Sequence, residues 1–216
     1  HQLQAVRERG GTIVTFNPLR ERGLERFTNP QDPVKMLTGG ETEISQEYYQ
    51  VRPGGDIAAI AGMCKWLFEE DARAAAEGRS GVLDADFIAE HTHGFEAFEA
   101  FVRAQERPEL ERERGLTRTQ PEDAARPYAA SQAVIGGHGM GLTQHKLGVD
   151  SVQMLVNLLL LRGNIGKPGA GVCPVRGHSN VQGQRTVGIT ERRISSRVGI
   201  RDFSVIALAS IFGCWS

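Results

Sequence analysis

A chain of 216 residues has room for one large domain or two small ones, and its 40% hydrophobic content supports an ordinary globular core. Lys plus Arg (25) against Asp plus Glu (26) leaves a net charge of −1, without the basic excess of a nucleic-acid binder. Cys64, Cys173 and Cys214 are far apart and form no CxxC pair, which excludes a zinc knuckle or an iron–sulfur ligand set within the chain and suits a reducing, cytoplasmic compartment.

The chain opens on His1, inside a helix-like segment, and reads as an internal piece of a longer protein. Residues 1–15 lack the apolar run of a signal peptide. The longest apolar stretches, 154–161 and 205–212, fall short of the roughly 20 residues of a membrane span. Residues 2–8 read as a helix end closed by Gly10-Gly11, and the β-branched run 12–16 (TIVTF) as a buried strand that Asn17-Pro18 breaks. Residues 48–52 suggest a short strand, followed by the turn Pro53-Gly54-Gly55. Asp56 is placed to cap a helix over 57–70, where Ile57, Ile60, Ala61, Cys64, Leu67 and Phe68 recur at helical spacing.

Two short amphipathic helices are predicted over 84–90 and 95–104, and the highly charged stretch 107–126 is expected at the surface. Residues 133–135 read as a second buried strand running into a glycine-rich turn, 136–141. A strongly apolar helix over 149–161 leads into a long Gly/Pro-rich loop, 162–183. Strands alternating with helices, with glycine turns after the strands, predict an α/β fold: a Rossmann-like, mainly parallel sheet flanked by helices.

Three segments have the composition of binding sites. The exit TIVTFNPLRE places Asn17 where a strand end meets a ligand in a doubly wound sheet, although an Asn-Pro turn alone explains the pair. In IGGHGMGLTQH, 135–145, glycines let backbone N–H groups approach a pyrophosphate; the alternative is a tight packing turn, because GxGxxG and its acidic partner are missing. The loop 162–183 is too long and too glycine-rich for an idle connection. Its Lys167, Arg176, Asn180 and Gln182 are donors for anionic and carbonyl oxygens, so a large, polar, anionic ligand is expected. His91 and His93 beside Glu90 could share a metal or simply mark a helix junction. His138, His145 and His178 could hold zinc or hydrogen-bond a ligand, and Met140 could fill a core.

GMGLTQH followed by NLLLLRGNIGKPGAGVCPVRGHSNVQG is very similar to the formate-dehydrogenase-like alpha subunits of the molybdopterin oxidoreductase family. IVTFNPLRE, VRPGGD and DADFIAEHTHGFE agree in order and spacing, so the resemblance runs from about Gln2 to Ile189. It implies that 1–178 is the second molybdopterin guanine dinucleotide-binding α/β domain of a larger, multidomain enzyme, truncated at its N-terminus. Residues 179–216 would be the start of the return crossing plus an atypical tail. It further implies a bis-molybdopterin guanine dinucleotide cofactor carrying molybdenum. A 4Fe-4S cluster and the residue ligating the metal would lie elsewhere in the whole protein, with no metal ligand in this chain.

By the same resemblance Asn17, where many relatives have Asp, together with Pro18 and Arg20, holds a guanine or ribose edge, with Gly54 and Asp56 at the neighbouring turn. Gly139, Met140, Gly141 and Gln144 approach phosphates or pterin, and Gly163, Asn164, Lys167 and Gly177 complete the cofactor contacts. Arg176 faces the substrate side of the molybdenum, and His178 stands where formate dehydrogenases have Gln, which points away from formate itself. Pro121 and Pro127 depart from the family pattern, since Pro inside a helix costs about 3 kcal/mol, and beyond about Thr190 the pattern stops. The implied activity is two-electron redox of a small substrate, with an electron partner the sequence does not name and with no activity in this chain alone. A truncated, inactive remnant that at most binds a nucleotide is the alternative.

Overall fold

The computed structural model describes residues 2–31, 33–117 and 119–175. In chain order these form α1 (Gln2–Glu8), β1 (Val14–Phe16), α2 (Arg22–Glu25), β2 (Arg26–Phe27), α3 (Pro33–Thr38), β3 (Thr42–Glu43), β4 (Glu47–Tyr49) and α4 (Asp56–Ala76). They continue with α5 (Ala85–His91), α6 (Phe95–Ala104), α7 (Arg107–Arg114), α8 (Thr119–Ala130), β5 (Ile135–His138), α9 (Met140–Thr143), α10 (Gly148–Leu160) and β6 (Gly171–Pro174). Two compact units share the chain. The first takes the described residues up to Val82 and from Val102 to Gln132; the second takes Leu83–Phe101 and the described residues from Ala133 onward.

In the first unit β1 and β4 pair in parallel, Val14 opposite Glu47 and Phe16 opposite Tyr49, while β2 and β3 form a short antiparallel pair. The Phe16 and Tyr49 rings meet at 5.2 Å. Helix α4 packs on α7 and α8. It buries Ala58, Ala61, Cys64, Leu67 and Phe68, while Leu110 of α7 and Ala124, Ala125 and Tyr128 of α8 are likewise buried. Small residues permit this closeness: a Cβ on Gly62 would stand 3.1 Å from Pro121 Cβ. Pro121 occupies the first turn of α8, where a backbone N–H has no intrahelical acceptor to lose. Pro127 lies inside the helix, which ends three residues later.

In the second unit β5 and β6 pair in parallel, Ile135 opposite Gly171 and His138 opposite Pro174, with α9 and α10 between them in sequence. Gly136 lets the strand lie on α10, since a Cβ there would stand 3.0 Å from Leu159 and 3.2 Å from Leu155. Helix α10 ends in a left-handed turn: Gly163 (φ +58°) donates to Leu160 O at 3.1 Å and Asn164 to Leu159 O at 2.9 Å. The fully buried Asn164 then accepts from Val134 N at 3.1 Å, tying the helix end to the start of β5.

Several expectations shift. Among the described residues there is no single mainly parallel sheet but three two-stranded ones, two of them parallel. β1 is half-buried rather than buried, because among the described residues it has a neighbouring strand on one side only. The first part of the glycine stretch, Gly136 to His138, is itself strand, and Ile135 at its head is 59% exposed. The 107–126 stretch is less superficial than its charge suggests: Arg107 is held by Glu69 and by Glu122 (2.6 Å), and Arg114 is buried. Gly55, not Asp56, occupies the cap position of α4, so Asp56 is its first residue, and the helix runs on to Ala76. The long loop from Arg162 contains β6.

Candidate functional site

Asn17 follows β1 directly, and its backbone N–H continues the ladder by donating to Tyr49 O at 3.0 Å. Its side-chain Nδ2 donates to Leu19 O (2.7 Å), Glu21 Oε1 (3.1 Å) and Tyr48 Oη (3.2 Å). Because two of these neighbours can only accept, the amide orientation is fixed, and Oδ1 is left without a donor among the described residues. Tyr48 completes the loop by donating to Leu19 O at 2.7 Å and accepting from Glu21 N at 3.2 Å. The Pro18 carbonyl accepts from Gln50 Nε2 at 3.2 Å. Arg20 pairs with Glu25 (2.9 Å) and lies over the Tyr48 ring at 5.6 Å. Arg20, Arg26, Glu25, Glu43, Gln46 and Tyr48 line a polar cavity of about 280 Å³. Tyr48, at an ordinary strand position, had no sequence signal to single it out as the residue that organises the Asn17 loop.

The Pro53-Gly54-Gly55 turn closes through Gly55 N to Arg52 O at 2.8 Å, with Gly54 at φ +80° as the Pro-Gly pair requires. A Cβ on Gly54 would meet nothing within 4 Å, so this backbone faces open space at the start of α4.

In the second unit the glycines separate into two kinds. Gly136 packs on α10, and a Cβ on Gly148 would stand 2.2 Å from Thr143 O, so both are needed for packing. A Cβ on Gly137, Gly139 or Gly141 would meet nothing within 4 Å among the described residues. Gly139 has an extended backbone (φ −109°, ψ −161°) at the cap of α9, a conformation open to any residue, so the fold does not demand glycine there. Met140 is 36% exposed, and Gln144 Nε2 rests 3.5 Å from its Sδ. His145 Nδ1 accepts from Leu147 N at 3.2 Å, which leaves Nε2 to carry the proton of the neutral ring; that atom is buried and has no partner among the described residues.

Gly163 and Asn164 are taken up by the helix end: a Cβ on Gly163 would stand 2.5 Å from Asp84 Oδ2. Lys167 Nζ reaches Arg162 O at 3.5 Å. Arg176, Gly177 and His178 lie outside the described residues. His91 approaches Glu90 at 3.9 Å and packs on Phe87 at 4.9 Å, and among the described residues no group of three or more His, Cys, Asp or Glu side chains could hold a metal ion. No described helix is long and apolar enough to cross a membrane.

No protein-family model matches the chain. Part of acetylene hydratase from Pelobacter acetylenicus has a similar fold: it superposes over 77% of this chain and 19% of its own, with a TM-score of 0.57 and 17% identity. By sequence it is 54% identical over 190 residues to protein YdeP of Escherichia coli K12, covering 88% of this chain and 25% of that one. Formate dehydrogenase H of the same organism is 34% identical over 157 residues, 73% of this chain and 20% of that one. The chain belongs to the molybdopterin oxidoreductase family, with formate dehydrogenases among its relatives. It spans about a quarter or less of the length of the curated relatives it matches.

Proposed function

We propose that this chain is the part of a molybdenum-dependent oxidoreductase that holds one guanine-dinucleotide arm of a bis-molybdopterin guanine dinucleotide cofactor. The observation that carries this reading is the row Gly137, Gly139 and Gly141, left open where the fold does not need glycine. A missing Cβ that packing does not explain lets a ligand's phosphates or pterin ring lie against the backbone, as glycine-rich strand exits do for dinucleotides. The buried Nε2–H of His145, unpartnered among the described residues, is a donor of the kind that an anionic or carbonyl oxygen satisfies.

In the first unit, Asn17 Oδ1 suits one of guanine's N–H donors, and the Arg20–Tyr48 pair offers a cation and an aromatic face beside it. Gly54, just before α4, adds open backbone. When bound in the whole protein, the molybdenum supplies two-electron redox chemistry on a small substrate. Arg176 contributes positive charge toward an anionic substrate, and His178 exchanges a proton near neutral pH, which Gln cannot. The 4Fe-4S cluster belongs to another part of the protein, which works in the cytoplasm, and this chain by itself does not turn over.

Calorimetric titration of the chain with GDP and with ADP tests the reading. GDP is expected to bind more tightly, and Gly139→Val to abolish binding while leaving the circular dichroism unchanged, since φ −109° accommodates a β-branched residue. Equal affinity for ADP, or undiminished GDP binding by Gly139→Val, overturns it.

A further inference from the structure

The turn Pro53–Asp56 does not stand by itself. The end of α7, distant in sequence, meets it on three sides. Arg52 N donates to Arg114 O at 2.7 Å, and the Arg52 guanidinium donates to Arg112 O at 2.9 Å. A Cβ on Gly55 would fall 2.7 Å from both Arg114 Cα and Glu113 O, so glycine is required there by contact and not by conformation, its φ being −89°. Gly115, the left-handed cap of α7 at φ +70°, brings its own α-carbon against Arg52: a Cβ there would stand 3.1 Å from Arg52 Cβ.

What fixes the end of α7 is the Arg114 side chain. Arg114 is buried, and its guanidinium donates to Leu116 O (3.4 Å) and Thr117 O (3.2 Å), the carbonyls just past the helix. On its other side it lies against α4, where a Cβ on Gly62 would stand 2.9 Å from its Nη1. Burial pulls the pKa of this guanidinium down; nearby Glu111 opposes that shift, Arg107 adds to it and Glu122 opposes it. A buried cation satisfied by carbonyls is a costly choice for simple space-filling, where Met or Leu would serve.

We infer that Arg114 is a positioning residue for the Pro53–Asp56 turn. Its side chain anchors the end of α7 to α4 and the 116–117 carbonyls, while its own carbonyl holds Arg52 and sets where Gly54 and the first turn of α4 stand. The inference rests on the proposed function only for why that turn must be held; the clamp itself is a property of the first unit.

Amide hydrogen exchange of the 216-residue chain tests it, with Arg114→Met, Arg114→Lys and Leu110→Ala compared. Leu110 is buried on the same helix and takes no part in the hydrogen bonds and close approaches described at the turn, so its truncation reports general loss of stability. Arg114→Met should speed exchange at Gly54–Ala58 about tenfold more than in the rest of the first unit, the scale of one lost charge-assisted hydrogen bond. Arg114→Lys, which keeps a donor but not the fork, should fall between Met and wild type. Leu110→Ala should raise exchange across the unit evenly. If Arg114→Met also acts evenly, Arg114 only packs and the inference is overturned.

Should Arg114→Met fail to fold, Gly55→Ala wedges the same contact from the turn side and must give the same local acceleration; no local effect again overturns the inference. GDP affinity, measured in parallel, separates the two ideas. Failure of the wild-type chain to bind GDP removes the proposed function, whereas the exchange pattern alone decides the clamp.

Discussion

Asn17→Asp changes one atom and reverses the chemistry of the loop after β1. Nδ2 faces Leu19 O, Glu21 Oε1 and Tyr48 Oη at 2.7, 3.1 and 3.2 Å. A carboxylate has no proton to give any of them. Losing the shortest of these part-exposed bonds costs about 1 kcal/mol net. Two like charges about 3 Å apart repel by about 1.3 kcal/mol at the dielectric of water. Tyr48 can turn its proton from Leu19 O to the new carboxylate, which returns part of this. The expected loss is therefore about 1–2 kcal/mol at pH 7.

Urea unfolding followed through Trp66, with Trp215→Phe to silence the second tryptophan, reads the first unit directly. The sign with pH is opposite to that of an ion-paired carboxylate: repulsion favours the protonated form in the native state, so the penalty shrinks as pH falls through about 4. Guanine preference should move the other way from stability, because Asp offers both guanine donors an acceptor. A variant as stable as wild type at pH 7, with no pH-dependent difference from it, would refute the hydrogen-bond assignment.

Burial raises the Cys64 thiol well above its ordinary value, so the unfolded chain ionises first and stability should fall above about pH 8.5, by up to about 1.4 kcal/mol per pH unit. Urea midpoints from pH 7 to 10 should show that slope in the wild type and a shallower one in Cys64→Ala; parallel slopes would exclude Cys64 as its source. Thiol alkylation with peptide mapping should label exposed Cys173 in the native protein and Cys64 only after unfolding. Asp84 caps α5 by accepting from Phe87 N at 3.1 Å, so Asp84→Ala should cost about 1 kcal/mol in chemical denaturation. Gly163→Ala places a Cβ 2.5 Å from Asp84 Oδ2, so its cost should be smaller in an Asp84→Ala background. Strict additivity would show that Asp84 is not what the added methyl meets.

Helix existence was legible from the sequence wherever apolar residues recur at helical spacing, as in α4, α6 and α10. The strands were harder. The run 133–135 looked like strand because it is apolar, yet pairing begins at Ile135 and continues through Gly136 and Gly137, residues of low strand propensity. What holds them is tertiary: β6 on one edge, and α10 seated closely on Gly136. For the binding segments, the sequence left residues 135–145 open between packing and ligand approach. Gly136, and Gly148 just beyond the segment, pack closely, whereas a Cβ on Gly137, Gly139 or Gly141 would meet nothing within 4 Å among the described residues. The supports of the site, Tyr48 for Asn17 and Arg114 for the Pro-Gly turn, were invisible, since each acts across 31 or more residues of chain and belongs to no motif.

Both parallel pairs also carry a cost in time. Val14 meets Glu47 and Ile135 meets Gly171, separations of 33 and 36 residues, so neither pair can close as a hairpin. Each strand must wait for an intervening stretch with helices of its own before its partner exists. At ~5–20 residues per second, the ribosome needs roughly 2–7 s to supply Gly171 after Ile135. During that interval the glycine-rich edge of β5 has no β6 to pair with. Long-range pairing of this kind is slow even in a complete chain. Early synthesis of the second unit is thus the window in which a chaperone, or a competing strand edge, could most affect the yield of folded protein.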